Sequence, residues 1–222
     1  MTRGPVLEHF EPIVQGSSCL YARGTRLLGA PPWRRGEPLE ANAGRLFDRF
    51  AEFLEDGAEG GLDGIVFEIA ERGYGDDLAQ LCETTRVLLT ALGERDPAGS
   101  AMERDVASPD WWFTLMGRPL FVSAFAPCYP PSSSRYGFGT GSTFFLFLTA
   151  ESFERRRAPG AATLSDAARQ RIRSDHERAG RRYDLSITTG PLEALRYVKP
   201  LRLGELPVPW WIAGRGSDHD NA

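Results

Sequence analysis

The chain has 222 residues, 41% hydrophobic and 25% charged, which suits one substantial core and leaves no room for several. A net charge of −4 and a pI of about 5.5 argue against general binding to nucleic acid phosphates. No apolar stretch approaches the ~20 residues that cross a bilayer.

The opening MTRGPVLEHFEP lacks the continuous apolar run of a signal peptide, so a cytoplasmic protein is expected. Residues 1–41 are rich in Gly, Pro and Arg, with a cluster at Pro31, Pro32 and Trp33, and read as an arm lying over the domain. Asn42 is a plausible cap for a helix in which Leu46, Phe47, Phe50, Phe53 and Leu54 recur at helical spacing, ended by Gly57, Gly60 and Gly61. A strand follows over 64–70. Asp76 or Asp77 can cap a second helix, whose stripe of Leu78, Leu81, Cys82, Thr85, Leu88, Leu89 and Leu92 makes Cys82 a core thiol.

Three strands are predicted at 111–116, 120–125 and 143–149, the first two joined by a tight Gly117-Arg118 turn. A short helix is expected near Glu151 and a longer, polar one over 165–179, capped by Ser165 and touching the core on one narrow side. Residues 192–198 and the segment from Pro207 to Trp211 follow, then a polar tail over 213–222. The order of strands and helices predicts a single α+β domain over 42–212, a mixed sheet with helices packed on it.

The segment between the last two strands is where a site is expected. It holds Cys128, Tyr129, Pro130, Pro131, Ser132, Ser133, Ser134, Arg135 and Tyr136, then Gly137, Gly139 and Gly141. Prolines stiffen the backbone and glycines let it approach a ligand, while the hydroxyls and Arg135 can orient a polar or anionic group. The alternative is a long hairpin loop packed by its own aromatics. Arg135 can clamp a carboxylate in a bidentate pair or serve a structural salt bridge. Trp210 and Trp211 can wall a pocket or simply pack.

Other chemistries find less support. The serines do not form a nucleophile elbow, and the glycine series precedes a strand rather than opening a helix, unlike phosphate-binding loops. Cys19, Cys82 and Cys128 lack C-x-x-C spacing and read as thiols. His176 lies among polar neighbours and reads as solvent-facing; His9 and His219 fall at expected flexible ends. The basic residues are 25 arginines and a single lysine, Lys199, a bias attributed to high-GC coding.

Over about residues 17–200 the order of landmarks resembles the YqcI/YcgG family. These landmarks are Cys19 and Ala22, the Phe-rich helix at 46–54, and Gly117-Arg118-Pro119-Leu120-Phe121-Val122. They continue with Ser134-Arg135, Ser152-Phe153-Glu154-Arg155-Arg156, Ile172-Arg173-Ser174-Asp175, and Glu193-Ala194 before Tyr197. Ser18 stands where the family pattern has proline, and two family histidines fall on Pro130 and Ala150.

The resemblance implies haem and hydroxylation of a nitrogen on a small guanidino or amino compound, with an electron donor as partner. With both histidines replaced, Cys128 becomes the expected iron ligand, Tyr129 and Tyr136 being phenolate alternatives. Tyr129 and Trp210 would flank the cofactor. Arg135, Ser133 and Ser134 would orient a carboxylate, Tyr136 would exchange a hydrogen bond, and Asp110 or Glu151 would hold the cationic end. The other expectation is a binding or auxiliary protein of the same fold without haem or catalysis.

Overall fold

Two Phe-rich strands set the architecture. In the computed structural model, which describes residues 4–17, 19, 22–54, 61–155, 166–181 and 184–213, β5 (Thr143–Thr149) pairs antiparallel with β2 (Gly64–Ile69) on one side and β4 (Arg118–Phe125) on the other. A three-residue strand β1 (Leu27–Gly29) adds parallel to β2, and a two-residue strand β3 (Thr114–Leu115) adds antiparallel to β4. The sheet order is thus β1-β2-β5-β4-β3, a mixed sheet with helices packed on it in a single α+β domain.

Alternation along the strands sends side chains to two different environments. Ile65, Phe67, Ile69, Val122, Ala124, Phe145 and Phe147 enter the main core with Leu46 and Phe50 of α2 (Leu39–Glu52) and Leu81, Leu88 and Leu92 of α3 (Leu78–Gly93). Phe50 meets Phe147 edge to face at 5.1 Å. On the opposite side, Val66 and Phe144 pack with Val6, Phe10 and Ile13 of α1 (Pro5–Gly16).

Cys82 lies in the main core, as its helical spacing predicts. The segment expected as an arm over the domain carries both α1 and β1. Its apolar residues Val6, Phe10 and Ile13 recur every three or four positions, and Pro stands in the first turn, where it loses no hydrogen bond. His9, expected in a flexible end, is on α1 with Nδ1 2.8 Å from the buried carboxylate of Glu68.

Helix α2 starts at Leu39, so Asn42 is not its cap. The Asn42 side chain accepts from the main-chain N–H of Arg34 and donates to main-chain carbonyls of Arg34, Glu37 and Pro38, tying the preceding loop to the helix. Asp77, rather than Asp76, caps α3 by accepting from the Gln80 amide at 2.8 Å. Only Thr114 and Leu115 of the predicted 111–116 strand pair; Trp111 turns into the core and donates Nε1–H to the Ala101 carbonyl. The β3–β4 connection is a two-residue turn in which Met116 and Gly117 both take positive φ, 51° and 72°.

The chain continues through α4 (Ala150–Glu154), α5 (Asp166–Arg178) and α6 (Leu185–Thr188), with a 3-10 turn at Glu193–Arg196. The expected cap Ser165, the glycines Gly57 and Gly60, and His219 lie outside the described residues.

Phe147 is fully buried against Phe50 on the central strand, so Phe147→Ala should lower stability by about 3–5 kcal/mol. Equilibrium urea unfolding measures this; a loss below 1 kcal/mol would contradict the packing described.

Candidate functional site

The second face of the sheet is only partly covered. Helix α1 lies over β2 and β5, while α5, α6 and the 3-10 turn flank the region opposite β4, and a cavity of about 330 Å³ remains between them. Its walls are mostly apolar, formed by Phe121 and Phe125 of β4, Leu146 and Leu148 of β5 and Ile13 and Val14 of α1. The charged residues of the lining, Arg135, Glu193, Arg196 and Lys199, come from the loop and the carboxy-terminal segment, beside Ser134 of the loop and His176 of α5. Cys19 also lines it.

The carboxy-terminal segment reaches this place because tyrosines pin its backbone. Tyr129 is fully buried, and its phenol accepts from the Lys199 amide at 2.9 Å while donating to the Lys199 carbonyl at 3.0 Å. Tyr197 does comparable work two residues earlier, accepting from the Phe113 amide and donating to the Leu120 carbonyl, while its own carbonyl accepts from Ala124. Burial pushes both phenols well above their ordinary pKa, so they remain neutral donors. Trp210 stacks on Tyr197 at 5.8 Å and donates Nε1–H to the Ala194 carbonyl.

Arg135 is held by a hydrogen bond from Nη2 to the Arg196 carbonyl at 2.8 Å and by the Phe125 ring, whose centroid is 5.4 Å from its guanidinium carbon. Glu193, 3% exposed, pairs with Arg196 at 2.5 Å. Burial nevertheless outweighs the attraction of Arg196 and Arg135 and pushes the Glu193 carboxyl up to about 7. Arg196 Nε is buried with no hydrogen-bond acceptor among the described residues, which leaves a donor that an anion can satisfy. Lys199 donates Nζ–H to Ser134 Oγ at 3.3 Å. Its burial, reinforced by Arg135 and Arg196, brings the ammonium down to about 7.

Residues 126–142 fold as a series of short turns, with Ser133, Tyr136 and Thr140 amides returning to the carbonyls of Pro130, Ser133 and Gly137. The bulky Phe138 adopts φ 53° beside Gly139 at 76°, a conformation that side chains rarely take. Its ring fills the space beside Gly16 at the end of α1, where an added Cβ would stand 2.0 Å from a ring carbon. Arg181 lies 4.4 Å above the same ring and donates to the Gly16 carbonyl at 2.5 Å. The loop is thereby packed against the end of α1.

Of the residues predicted for the site, Arg135 and Ser134 line the cavity. Ser133 instead accepts from the Arg135 amide and faces an adjoining cavity of about 380 Å³, which Ser134 and Lys199 also line. Tyr136 packs on Phe138 at 5.0 Å and is not in the lining of either. Glu151 pairs with Arg118 at 2.9 Å on α4, and Asp110 is exposed beside Trp111; neither joins Arg135.

The expected cofactor contacts are also apart from this cavity. Cys128 packs against the main core, its amide bonded to the Gly75 carbonyl, and burial pushes its thiol up to about 12. Tyr129 and Trp210 serve the clamp and the core. His176, read as solvent-facing, is 6% exposed: Nδ1 donates to the Ile172 carbonyl at 2.9 Å, and burial lowers the imidazole pKa. Glu193, Arg196 and Lys199 were missed as site residues. The singular lysine was their clearest signal. No group of three or more His, Cys, Asp or Glu residues suited to a metal ion occurs among the described residues. No family model, curated protein or solved structure matches the chain.

The raised Glu193 pKa favours folding below its ordinary value of 4.5, and this contribution is lost as pH rises through about 7. Glu193→Gln should therefore gain stability over the native chain across that interval, on the order of 3 kcal/mol by pH 8. Urea unfolding of both proteins at pH 4 and pH 8 tests the sign; an unchanged difference would contradict it.

Proposed function

We propose that the protein binds a small amphipathic carboxylate in the cavity, with the apolar body against Phe121, Phe125, Leu146 and Leu148 and the carboxylate on Arg135 and Arg196. The observation that carries this reading is the convergence of Arg135, Arg196 and Lys199 with one carboxylate, Glu193, at one part of a largely apolar cavity. Charge-assisted bonds from guanidinium groups fix a carboxylate in both position and plane. Glu193 offers the complementary group for an amino or guanidino substituent. A volume of about 330 Å³ lies at the lower end of small-molecule sites and suits an amino-acid-sized ligand. Among the described residues no helix is long and apolar enough to cross a membrane. The three thiols suit a cytoplasmic setting.

A second reading, haem-dependent oxygenation of a nitrogen on such a guanidino or amino compound, draws on His176. Its Nδ1 bond to the Ile172 carbonyl orients the ring in the way that backbone carbonyls orient metal-binding imidazoles. His176 would hold the iron, and Arg135 and Arg196 would take the propionates. When bound with an electron donor, haem supplies the oxygen activation; the residues hold and orient the substrate. The modest cavity volume makes this the secondary reading.

Arg135→Lys keeps the charge but loses the planar fork, and should weaken binding of phenylalanine or arginine about 10-fold or more while leaving the melting temperature nearly unchanged. Titration calorimetry with each acid and its decarboxylated analogue, phenylethylamine or agmatine, checks this. Equal binding of acid and analogue would defeat the carboxylate reading. For the haem reading, protein produced with haem supply should show a Soret band that His176→Ala removes and Cys128→Ala leaves in place; absence of the band rejects that reading.

A further inference from the structure

A chain with 25 arginines has one lysine, and the fold places it in the cavity wall. Lys199 is 7% exposed, yet it lines both the main cavity and the adjoining one, together with Ser134. Tyr129 fixes its amide and carbonyl, so the base of its side chain has a defined position. An arginine there would serve as a cation as well as the other 25 do. A primary amine adds something that guanidinium does not: after losing a proton it is a nucleophile.

We propose that Lys199 forms a reversible imine with the carbonyl of a small 2-oxo acid bearing an apolar side chain, whose carboxylate lies on Arg135 and Arg196. This rests on the carboxylate-binding reading of the same cavity and adds a covalent step to it. The Nζ lone pair attacks the carbonyl carbon, a C–N bond forms, and proton transfer gives a carbinolamine. Its hydroxyl leaves as water as the C=N bond forms. Amine plus carbonyl become imine plus water, with no oxidant or reductant.

The surroundings favour this chemistry. Arg135 from the loop and Arg196 from the 3-10 turn oppose a further positive charge at Lys199, whereas Asp184 before α6 favours one; Glu193 and His176 stand on the same cavity wall. Burial and the two guanidinium groups prevail, bringing the amine to about 7 and keeping a substantial neutral fraction at neutral pH. The Phe121 and Phe125 wall favours an apolar substituent, which distinguishes a phenyl-bearing 2-oxo acid from glyoxylate.

The test incubates the full chain with phenylpyruvate and cyanoborohydride, then locates the reduced adduct by peptide mapping. The expected result is one adduct at Lys199, absent from Lys199→Arg and Lys199→Met, and reduced about 10-fold or more in Arg135→Lys at subsaturating ligand. Circular dichroism identifies folded variants, and the native-chain map locates the adduct even if a variant fails to fold. Thermal shift with phenyllactate, which has the carboxylate but no carbonyl, tests the underlying binding site separately. Phenyllactate binding without a phenylpyruvate adduct at Lys199, including labelling confined to the amino terminus, overturns the imine and leaves the carboxylate site standing. Failure of both overturns both.

Discussion

The phenol of Tyr129 holds the two halves of the site together. It lies in the loop after β4, yet its partners are the main-chain amide and carbonyl of Lys199, 70 residues later. A buried phenol that donates and accepts in this way satisfies two backbone groups that would be costly to leave unpaired. Tyr197 fastens the same segment to Phe113 and Leu120. The outcome is that residues 184–213, which hold no long helix or paired strand, nonetheless bring Glu193, Arg196 and Lys199 to Arg135.

Burial makes that convergence of charged groups costly. Lys199 and Glu193 both depart from their ordinary pKa in the direction of neutrality, and burial is the leading cause for each. Local ion pairing only partly offsets it: Glu193 retains a raised pKa beside Arg196. Groups with pKa values displaced in this way cluster at binding and catalytic sites.

Much of the fold was legible in the pattern of apolar residues. Strands β2, β4 and β5 and helices α2 and α3 carry continuous or periodic hydrophobic signals strong enough to survive uncertainty at their ends. Helix α1 was hidden by proline and glycine near the amino terminus, although Val6, Phe10 and Ile13 carried the right periodicity. Within the site, Arg135 and Ser134 were found through their unusual loop. Lys199 and Glu193 were not, because their significance lies in contacts made across the fold. His176 shares a helical face with Ile172 four positions earlier, a pairing obscured by the charges around it. Cys128, at the end of a strand, packs against the main core.

The lengths of the outer strands bear on self-association. The central strand includes the run Phe-Phe-Leu-Phe-Leu, an apolar β-forming sequence that would invite intermolecular zippering if left unpaired. Here both of its edges are occupied by β2 and β4, and the strands beyond them span only three and two residues. Beyond β3 the Phe113 and Tyr197 carbonyls take the Leu120 and Ala124 amides of β4, which leaves less of that border for another chain to extend. The sheet thereby keeps its most adhesive sequence in the middle while giving a neighbouring molecule a poor template for fibre growth.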